Sequence, residues 1–174
     1  MKVAYLVAYK NFRDEEYFIP VEVLSKAGIE VDTFSDQKGI AYGSEGGEVI
    51  AEPLKSVESS DYEAIILAGG GGALKQLDNE DVYELLLKFN KEEKIIGAIC
   101  ISPVILANAG LLEGKQSTVW SSNMDKKPVK MIEEKGAVYC DEGVVVDGRI
   151  VTADGPRTAA DFGKELVLNI KKQT

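Results

Sequence analysis

Histidine is absent from the 174 residues. That removes the commonest general base, the commonest metal ligand and any Ser-His or Cys-His triad assembled within one chain. Any catalysis falls to cysteine, carboxylates, lysine or tyrosine, and nothing in the residue set points to a bound metal or cofactor. Cysteine is scarce too. Cys100 and Cys140 cannot build a multi-disulfide framework, and neither sits in a CxxC pair of the kind that holds zinc or cycles as a dithiol. No apolar stretch approaches the roughly 18 residues needed to span a bilayer. The N-terminal MKVAYLVAYKNF runs into charge without a small-residue cleavage site, so a cytoplasmic protein with no membrane partner is expected. Basic charge is in deficit: 20 Lys+Arg against 29 Asp+Glu leaves a net charge of −9, with no broad positive face for a nucleic-acid partner. What is present, 45% hydrophobic and 28% charged residues, suits one domain over 1–174 with a full-sized core.

Apolar runs rich in β-branched residues alternate with segments of helical period, the pattern of a parallel sheet covered by helices. Buried strands are expected at Val3 to Ala8, Ile29 to Phe34, Ala64 to Leu67 and Lys94 to Ile99. Val82, Leu85, Leu86 and Phe89 recur at i, i+3, i+4 and i+7 behind Asp78-Asn79, which predicts an amphipathic helix with an Asp or Asn cap. Ala159, Phe162, Leu166 and Ile170, at i, i+3, i+7 and i+11, follow the same helical logic, with Lys171 and Lys172 at the negative end of the helix dipole. The glycine-rich Gly39 to Val49 predicts a small hairpin. Asp147-Gly148 predicts a tight turn between strands at Val144 to Val146 and Ile150 to Thr152.

Three stretches carry chemistry. In the first, an apolar strand ends at Cys100, Ser102 stands as N-cap of a helix opened by Pro103, and Gly110 stops that helix. A strand-to-helix nucleophile elbow needs small residues two before and two after the nucleophile, and Ala98 and Ser102 occupy those places. A cysteine at this bend faces a helix N-terminus, whose dipole and free N–H groups favour thiolate; the alternative is one more small buried apolar residue.

The second stretch, Asp14 to Leu24, follows the first strand. Ile19, Val23 and Ala27 share one face of a helix that stops at Gly28. Pro20 cannot donate to the carbonyl of Glu16, so the helix is either distorted there or begins at Pro20. The carboxyl ends of the first and fourth core strands share one edge of a parallel sheet, where Glu16 and Cys100 can meet. Asp14 and Glu15 read as solvated residues that favour a helix start. The third stretch is Leu67-Ala68-Gly69-Gly70-Gly71-Gly72-Ala73. It has neither GxGxxG spacing nor GK[ST], which weighs against a dinucleotide or a P-loop phosphate. Consecutive glycines also let a backbone approach a ligand and aim N–H groups at an oxyanion, with simple loop flexibility as the alternative.

Together these stretches resemble the DJ-1/PfpI superfamily over nearly the whole chain. The residues that carry the resemblance are Glu16 through Gly28, Gly69-Gly70, the elbow from Gly97 to Pro103, and Val151-Thr152 with Asp154-Gly155-Pro156-Arg157-Thr158. The resemblance implies a flavodoxin-like α/β three-layer sandwich with a mostly parallel sheet, assembled as a homodimer or higher homo-oligomer. It also implies Cys100 as the elbow nucleophile, Glu16 hydrogen-bonded to its thiolate, and the N–H groups of Gly70 and Ile101 as an oxyanion hole. Two positions depart from the pattern. PfpI-type peptidases carry a histidine directly after the cysteine, where this chain has Ile101; DJ-1-type members place one after the next strand, where Ser117 to Ser121 offers Trp120. Without imidazole an amide leaving group lacks its usual proton donor, which counts against peptide hydrolysis.

Deprotonating a thiol of pKa about 8.5 with a carboxylate of pKa about 4.3 is uphill by roughly 6 kcal/mol. A buried Glu16 with a raised pKa can instead donate a hydrogen bond to the thiolate and hand a proton to an adduct. That suits reversible addition to a small reactive carbonyl, the glyoxalase- and deglycase-like chemistry that the resemblance implies. A redox sensor or chaperone-like stress protein, acting through oxidation of Cys100, is the second reading, and a PfpI-type cysteine peptidase is the third. Trp120 has one N–H donor and no titration near neutrality, so beside the cysteine it walls off water without exchanging protons. Cys140, next to Asp141 and Glu142, is expected to be unreactive.

Overall fold

The apolar, β-branched runs become the centre of one large sheet, and the segments of helical period cover it. The computed structural model describes residues 1–173. Its first half runs β1 (Lys2–Leu6), β2 (Lys10–Phe12), α1 (Asp14–Lys26), β3 (Glu30–Ser35), β4 (Gly39–Gly43), β5 (Glu48–Pro53), β6 (Ala64–Leu67), α2 (Ala73–Gln76) and α3 (Glu80–Lys91). The second half runs β7 (Ile95–Ile99), α4 (Pro103–Asn108), β8 (Gln116–Ser117), α5 (Lys127–Glu134), β9 (Val138–Tyr139), β10 (Val144–Asp147), β11 (Ile150–Ala153) and α6 (Ala159–Gln173). Nine strands pair in the order β10-β11-β7-β6-β1-β3-β5-β4-β2, with β8 and β9 forming a separate parallel pair. The sheet is parallel from β11 through β7, β6, β1 and β3 to β5, while β10 and β4 join antiparallel.

Parallel strands covered on both faces must be apolar on both faces, and β6, β7 and β11 are buried at every position. Alternate side chains feed two cores. Leu6, Ile65, Leu67 and Ile96 pack with Val82, Leu86, Phe89 and Ile132 of α3 and α5, while Tyr5, Ile66, Ile99 and Val151 pack with Leu24, Phe162 and Leu166 of α1 and α6. This is the helix-covered parallel sheet that the residue pattern leads one to expect, in the flavodoxin-like sandwich that the resemblance implies. No helix among the described residues is long and apolar enough to cross a membrane.

Several local expectations change. The first strand stops at Leu6, short of Ala8. Of the two alternatives at Pro20, a helix start there is not the one taken: α1 starts at Asp14 and carries the proline inside, with Gly28 at φ 79 just beyond its end. Asn79 does cap α3, its side chain accepting the Val82 N–H at 3.2 Å, whereas Asp78 accepts from the Asn108 amide at 3.1 Å. Ser102 does not act as a side-chain cap, because its hydroxyl donates instead to the Ala68 carbonyl at 2.6 Å and ties the elbow to the end of β6. Asp147 pairs with Ile150, so the two turn residues are Gly148 and Arg149. The Asp147 carboxylate is then free to accept the Gln116 N–H at 2.9 Å.

Candidate functional site

The carboxyl ends of β1, β6 and β7 lie side by side in the middle of the sheet, and the loops that leave them build the site. Between β7 and α4 the chain reverses within three residues, which puts Cys100 at φ 66, a left-handed conformation that a non-glycine residue adopts only where its surroundings enforce it. Hydrogen bonds on both sides do so. The Cys100 N–H donates to the Ala153 carbonyl at 2.9 Å, and its carbonyl accepts the Trp120 N–H at 2.8 Å. The same ladder that fixes the cysteine therefore fixes the backbone of Trp120.

Of the four glycines after β6, Gly69, Gly70 and Gly72 are closely packed, while Gly71 faces open space. The Gly69 carbonyl accepts the Arg13 N–H at 3.0 Å and the Gly72 N–H donates to the Asn11 carbonyl at 3.0 Å, which locks the run against the loop leading into α1. A Cβ on Gly69 would stand 2.5 Å from Glu16 Oε2 and 2.6 Å from the Cys100 Cβ, so only glycine permits those two side chains to close on each other. Gly70 sits at φ 110, and a Cβ there would strike the Arg13 nitrogen at 2.4 Å. Close approach is thus the reason for glycine at Gly69, Gly70 and Gly72, and it gives no reason for Gly71.

Glu16, in the first turn of α1, is 0% exposed. Its Oε2 accepts the Gly69 N–H at 3.0 Å, its Oε1 is buried without a conventional partner, and the carboxyl is in hydrogen-bonding contact with the Cys100 thiol. Burial lifts its pKa from 4.5 to about 7, against the opposing pull of the thiol and of the Gly69 amide. Burial also pushes the Cys100 thiol up, and an ionised Glu16 pushes it further; the amides of Gly70 and Ile101 point at the sulfur and pull the other way. Position at a helix N-terminus therefore does not by itself make Cys100 a thiolate, because removal from water outweighs the two amides. The low-energy arrangement is a thiol beside a carboxyl that titrates near neutrality.

Above this pair opens a cleft of about 610 Å³, lined by the apolar Trp120, Ile101, Leu74 and Pro156 and by the basic Arg13 and Lys75. Pro156 comes from the Asp154-Gly155-Pro156-Arg157-Thr158 turn, in which the Thr158 hydroxyl donates to Asp154 Oδ1 at 2.8 Å. Glu16, Gly70, Cys100, Ile101 and Trp120 all line this one cleft. Cys140 lies apart from it, its sulfur 3.7 Å from the Val138 carbonyl. Among the described residues no cluster of three or more His, Cys, Asp or Glu side chains converges as metal ligands would.

Reading the residues alone missed Arg13, Ser44, Leu74, Lys75 and Pro156 as cleft residues. It also misjudged Asp14, whereas Glu15 stands in the first turn of α1 as a partly exposed residue, as expected. Asp14 accepts the N–H groups of Glu45 at 3.2 Å and Gly47 at 2.7 Å, so it clamps the β4–β5 turn and holds Ser44 over the cleft. Glu15 is bound by the Arg13 guanidinium at 2.8 Å and 3.0 Å. The usable signal for the clamp was Gly43 and Gly47, where any Cβ would collide with the Asp14 carboxylate.

A model of the DJ-1/PfpI family matches residues 1–169. Protein MJ0967 of Methanocaldococcus jannaschii is 40% identical over 173 residues, spanning 98% of this chain and 83% of that protein. Deglycase PfpI of Pyrococcus furiosus is 31% identical over 172 residues, spanning 98% of this chain and 100% of that one. The crystal structure of a ThiJ/PfpI domain protein from Brachyspira murdochii has a TM-score of 0.93 at 29% identity, covering 99% of this chain and 98% of that one.

The thiol and the carboxyl titrate as a pair. Once Glu16 ionises, the pair holds one proton, and the fraction with that proton on the carboxyl and a thiolate on the sulfur no longer depends on pH. In a Cys140→Ser background, the rate of Cys100 alkylation by iodoacetamide is expected to rise up to pH about 7 and then level off. Glu16→Gln should remove the plateau, leaving a rate that climbs steadily into the alkaline range; matching profiles would show that the two groups do not share a proton.

Proposed function

Because the chain belongs to the DJ-1/PfpI family, which includes a relative named a deglycase, we propose that it acts on small reactive carbonyl compounds, with Cys100 adding to the carbonyl carbon and Glu16 moving the proton. The observation that carries this reading is the buried Glu16 carboxyl, titrating near 7 in contact with the elbow thiol. A general acid-base group works best with a pKa near the working pH, and with no histidine in the chain this carboxyl is the group in the cleft that meets the requirement.

The chemistry balances with these residues alone. The sulfur of Cys100 bonds to the aldehyde carbon, the π pair of C=O moves to oxygen, and the N–H groups of Gly70 and Ile101 stabilise the charge there. Glu16 relays the thiol proton to that oxygen, giving a thiohemiacetal with no net loss of atoms. With a 2-oxoaldehyde, the Glu16 carboxylate takes the C1 hydrogen as a proton, the electron pair left behind forms the C1=C2 bond, and the C2 carbonyl pair moves to its oxygen to give an enediolate. Glu16 returns that proton to C2 while the C1 hydroxyl proton passes to the C2 oxygen, which gives a 2-hydroxy thioester. Water then releases the 2-hydroxy acid and restores the thiol. The walls of Trp120, Ile101 and Leu74 exclude water during the proton transfers and suit a short substrate better than an extended peptide.

Methylglyoxal and casein, offered separately, test the proposal. Methylglyoxal should be consumed and casein left intact. Cys100→Ser should abolish consumption, and Glu16→Gln should lower it by about a hundredfold or more while the thiol remains open to alkylation. Casein cleavage without methylglyoxal turnover would contradict the reading. Trp120 supplies a further test, since an imidazole in its place can accept and return a proton where an indole cannot. Trp120→His is expected to raise turnover, measured as methylglyoxal loss at neutral pH, and abolition would show that the indole does more than wall the cleft.

A further inference from the structure

We propose that Tyr5 is a positioning residue for Glu16: its buried hydroxyl supplies, at the Glu16 carbonyl, the hydrogen bond that Pro20 cannot make, and so fixes where the Glu16 carboxyl stands against Cys100. The proposal rests on the Cys100–Glu16 reading above.

In an α-helix the N–H of residue 20 would donate to the carbonyl of residue 16. Pro20 has no N–H, and its ring crowds that carbonyl away from the helix axis. Glu16 and Pro20 are both buried, so no water is at hand, and a buried carbonyl without a donor is strongly unfavourable. The Tyr5 hydroxyl donates to the Glu16 carbonyl at 2.6 Å. Nor can the helix simply shift to relieve the carbonyl: α6 presses on it at Gly163, where a Cβ would stand 3.2 Å from the Pro20 Cα.

Tyr5 is itself held firmly. It is 0% exposed on the central strand β1, hydrogen-bonded in register between Thr33 of β3 and Ile66 of β6. Its ring meets that of Tyr17 edge-on, with centroids 5.2 Å apart, and the Tyr17 hydroxyl shares a hydrogen bond of 2.5 Å with Thr33 Oγ1. Burial pushes the Tyr5 phenol well up, so it stays protonated and donates across the whole range in which Glu16 titrates. The consequence is geometric. The first turn of α1 is pinned to the same sheet whose strand ends carry Gly69 and Cys100, so the carboxyl, its Gly69 donor and the thiol are indexed to one rigid frame. A phenylalanine would fill the space; only the hydroxyl makes the pin.

The test uses Tyr5→Phe, Pro20→Ala and the double variant, all in Cys140→Ser full-length protein, with folding checked by circular dichroism. Tyr5→Phe should lower kcat for methylglyoxal by about tenfold with KM little changed, the signature of a displaced reacting group. It should also remove the alkylation plateau and leave a rate that climbs with pH, as expected for Glu16→Gln. In the double variant the backbone N–H restored by Pro20→Ala can donate to the freed carbonyl, so both kcat and the plateau should recover most of their wild-type values. A Tyr5→Phe protein with wild-type kcat and profile would overturn the proposal, and so would a folded double variant that recovers neither. Should Tyr5→Phe not fold, the double variant decides in the same way, by the presence or absence of the plateau. Should the wild-type protein leave methylglyoxal untouched, the carbonyl chemistry fails while the alkylation profiles still judge Tyr5.

Discussion

A carboxyl group held out of water beside a thiol sets the terms for everything around it. Raising the pKa of Glu16 from 4.5 to about 7 corresponds to about 3 kcal/mol of preference for the protonated form in the folded protein. The sign follows from linkage. The stabilisation is complete below pH 4.5, where the unfolded chain also binds the proton, and is lost as pH rises through about 7. The fold thus gives up stability near neutrality to keep a group there that can both accept and return a proton. Such a cost is bearable only because one carboxyl oxygen keeps the Gly69 N–H and the thiol remains a polar neighbour.

The surrounding architecture reads as the means of bringing that carboxyl to that thiol. A parallel sheet delivers both loops to one edge, but strands alone leave side chains several ångströms apart. Closure comes from the missing Cβ of Gly69, from the hydrogen bonds that hold Asn11 to Arg13 against the glycine run, and from the left-handed bend at Cys100. Each of these is a departure from regular structure, and each is held by regular structure on either side of it. Trp120 belongs to the same ladder through its amide, so the residue that closes the cleft cannot drift independently of the cysteine.

The layered fold was legible because β6, β7 and β11 are buried on both faces and write that into unbroken apolar runs, and because α3 and α6 carry a clear helical period. Cys100, Glu16 and the glycines were legible from local spacing, since an elbow, a prolyl break and a glycine run each have a short-range mark. What stayed hidden acts at long range through single hydrogen bonds, which leave no period. Asp14 grips a turn 31 and 33 residues further along the chain, and Ser102 abandons its cap for a carbonyl 34 residues back. Pro20 gave a true signal with an open outcome. Whether the helix began at Pro20 or ran through it could not be read locally, and only the three-dimensional arrangement places the hydroxyl of a tyrosine 15 positions away at the carbonyl that lacks its helical donor.

The most direct measurement of the protonation of Glu16 is an infrared titration in heavy water, taken as the difference between wild-type protein and Glu16→Gln. The account predicts a protonated-carboxyl C=O stretch, present in the wild type alone, that disappears with a midpoint near pH 7. A band already gone at the ordinary carboxylate value of 4.5 would show that Glu16 is a simple buried anion and that the thiol has no proton partner.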